Sequence, residues 1–157
     1  MKKVLIALDY NPTAQKVAEM GYSLAKAMKA EVILLHVINE PNYYSAYEYA
    51  PIMGFNGYIN ADLLKIAEPE ELEQTSFDFL NKTKKHLNDE NVKTAVVEGA
   101  TSESIIRAAS ELSADIIVMG SHSRRWLEKI LVGSVTEDVL YHSPIPLFIV
   151  PTKEPQP

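Results

Sequence analysis

The residues with the most chemical content lie between Gly120 and Ser134, in the run GSHSRRWLEKILVGS. The run begins where the apolar stretch Asp115-Ile116-Ile117-Val118-Met119 ends. It finishes at Ser134-Val135-Thr136-Glu137, which has the form of a helix capping box. Gly120 permits a sharp chain exit or a positive φ. Gly133-Ser134 sets free backbone N–H groups and a hydroxyl at a helix start, an arrangement that holds anions. Two such points joined by a helical excursion can grip two parts of a polyphosphate. The same residues also describe a turn glycine followed by an ordinary N-cap serine. Arg124, Arg125 and Lys129 would attract phosphate, or would form a solvated helix face. Trp126 would cover a neighbouring helix or mark a partner or lid contact.

Asp9 is the second candidate. It closes the apolar run Val4-Leu5-Ile6-Ala7-Leu8, where a carboxylate is either a turn or helix-cap group or a ligand contact. Other chemistries lack their residues. The sequence has no cysteine, which removes disulfides, thiol chemistry and Cys-ligated metal. His36, His86, His122 and His142 show no metal-ligand spacing. The phosphate loop Gly-x4-Gly-Lys-Ser/Thr, the dinucleotide Gly-x-Gly-x-x-Gly and the Gly-x-Ser-x-Gly elbow are all absent. A receiver domain would need clustered acids after the first strand and an aspartate ending the third. Asp9 stands alone, and Glu98 ends the third. These absences point to a binding protein rather than an enzyme.

The elements that must position these residues follow from periodicity. Val4–Leu8, Val32–Val37 and Asp115–Met119 are short continuous apolar runs, as in strands buried on both faces. Val92–Val97 is less apolar and belongs nearer a sheet edge. Ile145–Val150 is a last strand with Pro146 inside it, which demands an edge or unusual pairing. Between them, Asn11-Pro12-Thr13 opens a helix with a small-residue face running from Ala14 to Met28. Pro69-Glu70-Glu71 opens another, with Lys84, Lys85 and His86 near its end, as the helix dipole favours. Thr101 or Ser102 caps a third, and Ser134 starts a fourth. Alternating strands and helices imply a mostly parallel sheet covered on both faces. Ligands in such sheets sit beyond the carboxyl ends of the strands, where strand order reverses. The first and fourth strands form the centre and deliver Asp9 and Gly120 to one crevice.

A chain of 157 residues suits one domain, spanning 1–151, with a tail at 152–157. Within it, 39–67 has no period and holds Tyr43, Tyr44, Tyr47, Tyr49 and Tyr58. So long a loop is a lid, a partner surface or an insertion. Hydrophobic residues make up 46% and charged residues 23%, the balance of an ordinary globular protein. A net charge of −6 argues against a nucleic-acid footprint. The apolar run before Asp9 is too short for a signal-peptide core or a membrane span, so a cytoplasmic location is expected.

The segment from Gly120 resembles the signature of the universal stress protein family, Gly-x2-Gly-x9-Gly-Ser/Thr. The match is Gly120, two residues, Ser123, nine residues, then Gly133-Ser134. The resemblance extends over the chain through Val4–Asp9, His36-Val37, Gly99 and Ser143-Pro144-Ile145-Pro146. It implies a Rossmann-like three-layer α/β/α fold of the adenine nucleotide alpha hydrolase type, with a five-stranded parallel sheet in order 3-2-1-4-5. It also implies ATP, or ADP or AMP, between strands one and four, with Mg entering through the phosphates. Carried over by position, Asp9 would bond the ribose hydroxyls, since a carboxylate accepts both O–H groups of a vicinal diol. Val37 would meet the adenine through its backbone, with Ala7 and Met119 at the apolar strand ends. Gly120, Ser123, Arg124, Gly133, Ser134 and Val135 would line ribose and phosphates. Ser123 departs from the family glycine: its hydroxyl would bond phosphate, or its Cβ would obstruct the approach. The function implied is a nucleotide-binding stress-response regulator, with at most weak ATP hydrolysis and an unidentified protein partner. The alternative is a nucleotide-free interaction module of the same fold. Either would be a homodimer, because a bare apolar edge strand at Ile145–Val150 is best covered by its own copy.

Overall fold

The computed structural model describes residues 1–39, 69–121 and 134–152, apart from the side chains of Pro69 and Ser134. Most of the tyrosine-rich loop, the excursion with Ser123, Arg124, Trp126 and Gly133, and the tail from 153 lie outside the described residues. The elements run β1 (Lys3–Ala7), α1 (Ala14–Ala27), β2 (Glu31–Ile38), α2 (Pro69–Leu87), β3 (Lys93–Glu98), α3 (Thr101–Glu111), β4 (Ile116–Ser121), α4 (Ser134–His142) and β5 (Leu147–Pro151). All strand pairs are parallel, in the order β3-β2-β1-β4-β5. Parallel neighbours need crossovers, and the helices supply them on both faces of the sheet.

The two faces of β1 seed two cores. Val4 and Ile6 join Leu34, Val118, Val17, Ala18 and Leu80 on the α1–α2 side. Leu5 joins Ile33, Leu35, Ile117, Ile105, Ala109 and Val139 on the α3–α4 side. The edge placement expected of the third strand holds, and its side chains are only partly covered. The small face of α1 has a steric reason. A Cβ on Gly21 would stand 2.7 Å from Ile6 Cδ1 and 3.1 Å from Val118 Cγ1. The helix can therefore lie close on β1 and β4 only with glycine there.

Several local expectations are corrected. Pro146 is not inside the last strand: β5 begins at Leu147, and the Pro146 carbonyl accepts the Ile117 N–H at 2.9 Å. A proline thus costs no ladder donor at this site. Helix α3 is preceded by Ala100 as N-cap, with no side-chain cap bond, and Thr101 and Ser102 lie in its first turn. Their hydroxyls bond outward instead, to Asn39 Oδ1 and Asp138 Oδ2. Gly120 is not a chain exit: it is a buried residue within β4, paired with Val150. The positive-φ glycine among the described residues is Gly99, at φ 135° between β3 and α3. Among the described residues no helix is long and apolar enough to cross a membrane.

Gly21→Val should destabilise the protein by about 1–3 kcal/mol, the usual cost of overfilling a packed core. Urea denaturation would show a lower midpoint at unchanged slope. An unaltered midpoint would contradict the close α1–sheet contact.

Candidate functional site

Strand order reverses between β1 and β4, because β1 leads to β2 on one side while β4 lies on the other. The carboxyl ends of β2, β1 and β4 therefore open one crevice. Ala7, Val37 and Met119 sit at those ends and share the α3–α4 face of the sheet. Val37 and Met119 are buried and Ala7 is half-buried, so they make an apolar floor. Asp9 follows β1 and is exposed. Its Oδ1 accepts the Asn11 N–H at 3.1 Å, a local turn that fixes the carboxylate's root.

The far wall is the start of α4. Buried Thr136 donates its hydroxyl to the Gly120 carbonyl at 3.0 Å. The Thr152 hydroxyl bonds the neighbouring Ser121 carbonyl. Two threonines thus hold successive carbonyls at the end of β4, and one of them brings the α4 N-terminus to the strand end. Val135 stays exposed at that helix start. The structure thus places Ala7, Val37 and Met119 together on one face at the strand ends. Asp9 follows β1, and the start of α4, carrying Val135, is tied to the end of β4 at Gly120. The expected roles of Ser123, Arg124 and Gly133, and of the Ser134 side chain, fall outside the described residues.

Sequence reasoning missed the support beneath this crevice. His36 lies inside β2 rather than at its end, is 4% exposed, and its Nδ1 is 2.8 Å from the Leu8 carbonyl. A carbonyl only accepts, so Nδ1 carries the proton and donates. The ring lies 4.3 Å from that of Tyr10 and 5.9 Å from that of Phe79, centroid to centroid. The Ser76 hydroxyl donates to the Leu72 carbonyl at 2.8 Å, so Tyr10 donates its own proton to Ser76 Oγ at 2.9 Å. Burial pushes the Tyr10 phenol up to about 12, beyond ionisation in ordinary buffers. The chain Leu72–Ser76–Tyr10 anchors the β1–α1 turn to α2, and His36 anchors it to β2. Only the apolar-looking positions of Tyr10 and His36 hinted at this; Ser76 carries no local signal. Among the described residues no group of three or more His, Cys, Asp or Glu side chains could hold a metal.

A doubly wound parallel sheet with a crevice at its switch point defines a class of small-ligand-binding α/β proteins. Within that class the chain belongs to the universal stress protein family, whose model matches residues 1–151. It is 34% identical over 157 residues to universal stress protein MJ0577 of Methanocaldococcus jannaschii, covering 97% of this chain and 96% of that one. The solved structure of MJ0577 superposes with a TM-score of 0.67 over 98% of each chain, at 33% identity. Lower likeness extends to a universal stress protein solved in complex with cAMP, at 16% identity and TM-score 0.63 over 97% and 98% of the chains. It extends also to the Archaeoglobus fulgidus protein solved with dAMP, at 17% and 0.56 over 95% and 97%.

Thr136→Val keeps the shape but leaves the Gly120 carbonyl without this donor. It should cost about 0.5–1.5 kcal/mol, and Thr136→Ser should restore most of it. Thermal unfolding of the three proteins decides: identical midpoints would remove Thr136 as the clamp.

Proposed function

We propose that this stress-response family member binds an adenine nucleotide, ATP or else ADP or AMP, in the crevice between β1 and β4. The observation that carries the reading is the convergence at the switch point. An apolar floor of Ala7, Val37 and Met119 lies beside exposed Asp9, and the start of α4 is tied by Thr136 to the end of β4. The floor suits a purine face, and the carboxylate suits a ribose diol. The helix start at Ser134, with Gly133 before it and Ser123 and Arg124 in the preceding segment, suits phosphates. Magnesium would enter with the phosphate oxygens, as is usual for that ion. Relatives solved with cAMP and dAMP support the adenine nucleotide class. The nucleotide state would then be read out as a change of surface, towards an unidentified protein partner.

Denaturing the purified protein and separating what it releases should yield an adenine nucleotide. In calorimetry Asp9→Ala should weaken ATP about 10- to 100-fold, the worth of a hydrogen bond to a charged group. The 2′,3′-dideoxy analogue should be affected far less. That control matters because Asp9 also holds the Asn11 N–H. Equal losses for both nucleotides would mean that only the turn was damaged. No binding at all would favour the nucleotide-free interaction module.

The same proposal includes a homodimer through β5. This strand is one edge of the sheet, pairing with β4, and Leu147, Phe148 and Ile149 on it are only half-buried. An apolar edge of this kind is matched by an antiparallel copy of itself across a two-fold axis. Sedimentation at micromolar concentration should show a dimer, and a monomer there would refute it.

A further inference from the structure

We propose that His36 is the positioning residue of the nucleotide crevice, holding the Leu8–Asp9 backbone in register with Val37 only while its ring is neutral, so that mild acid weakens nucleotide binding. The inference rests on the nucleotide reading above, and it names a regulation of that site.

The geometry gives His36 a position no other side chain described here has. Its bond runs from β2 to the carbonyl of Leu8. Leu8 precedes Asp9 and His36 precedes Val37, so one hydrogen bond ties together the supports of the ribose and adenine contacts. The ring is closed in by Tyr10 and Phe79. Its Nε2 is buried and has no hydrogen-bond partner among the described residues. With Nδ1–H already donating, a second proton must go to Nε2. That would place an unpaired N–H and a full charge in an aromatic slot, which is costly unless the ring leaves.

The described residues around the ring offer little to offset that charge. From the β1–α1 turn, Asp9 attracts a cation, while Tyr10 stays neutral and its proton is committed to Ser76. From α2 come Phe79 and, behind Tyr10, Ser76, neither of which ionises. Lys82 and His86 of α2 line a groove against Pro12 and Gln15. From α1 the buried residues on this face are Ala14, Val17 and Ala18, and from β3 the register partner is Val96. Burial outweighs the Leu8 bond and the Asp9 charge, and holds the His36 imidazole below its ordinary value. The sign follows. A depressed histidine lends stability that is full above about 6.5, its unfolded value. That stability is lost as pH falls from there through the folded value.

His36→Asn places an amide N–H where Nδ1–H stood and cannot ionise. ATP affinity of the wild type and H36N would be measured by calorimetry from pH 7.5 to 4.5, with far-UV circular dichroism confirming the fold at each pH. The titration of ATP and of Asp9 cancels in the ratio of the two proteins. The wild type should lose affinity relative to H36N as pH falls through the His36 midpoint that the ring nitrogens report, by no more than about tenfold per pH unit for one linked proton. A constant ratio would overturn the proposal. A second measurement needs neither variant nor nucleotide. In ¹⁵N spectra of the ligand-free wild type, the amides of Asp9, Tyr10 and Asn11 should move with the same midpoint as the His36 ring nitrogens. If those amides follow another midpoint, or do not move, His36 does not position the turn. If they do follow it and ATP still fails to bind at pH 7.5, the positioning role stands and the nucleotide reading falls.

Discussion

Strand β1 has a neighbour on every side, and the rest of the molecule is arranged to make that possible. Val4, Leu5 and Ile6 are fully buried, with β2 and β4 on the two backbone edges and helices on the two faces. A strand in that position must be apolar on both faces, and its backbone must find partners on both edges. Parallel pairing supplies them, and parallel pairing sends every carboxyl end the same way. The crevice is a consequence. Where β1 ends, the chain to β2 turns one way and β4 lies the other, so no crossover covers the gap.

The two ends of the sheet differ in how their charges are held. At the amino-terminal end, carboxylates are answered from within the fold. Asp115 accepts the Lys3 backbone N–H at 2.8 Å and the Lys2 ammonium at 3.2 Å. Glu31 on β2 pairs with Lys93 on β3 at 2.6 Å. Asp89 pairs with Lys26 at 2.8 Å and accepts the Tyr22 hydroxyl and the Asn91 N–H, closing the ends of α1 and α2. At the carboxyl end, Asp9 is exposed and its Oδ1 accepts the Asn11 N–H of its own turn.

Much of this was legible in the sequence, for a physical reason. Strands buried on both faces leave continuous apolar runs, and α1 leaves its small face at helical spacing, so Val4–Leu8, Val32–Val37, Asp115–Met119 and Ala14–Met28 announce themselves locally. The order of the strands came only with the family resemblance. Of the candidate site, Asp9 was legible because it follows an apolar run, whereas Ala7, Val37 and Met119 came with the family resemblance. What was not legible is contact across the chain. Tyr10 meets Ser76 sixty-six residues away, and Thr136 reaches back sixteen to Gly120. Hydroxyls that bond a distant carbonyl look, in sequence, like any cap or turn residue. Gly120 misled for a related reason: a glycine after an apolar run reads as a turn, yet here the run continues through it, paired with Val150.

The amino-terminal carboxylates and buried His36 respond to acid in different ranges. Asp115 is lowered chiefly by the Lys3 N–H, Glu31 by Lys93, and Asp89 by Lys26. Carboxylates held low lend stability that is complete above about 4 and is lost as pH falls through their depressed values. His36 begins to matter two units higher, because its unfolded reference is near 6.5. Between about pH 6.5 and 4 the amino-terminal ion pairs are still intact. Among the described histidines His36 is the buried one, and its Nδ1–H holds the Leu8 carbonyl of the turn. Protonation of His36 would load the carboxyl-end turn through its Leu8 bond while the amino-terminal ion pairs hold the framework.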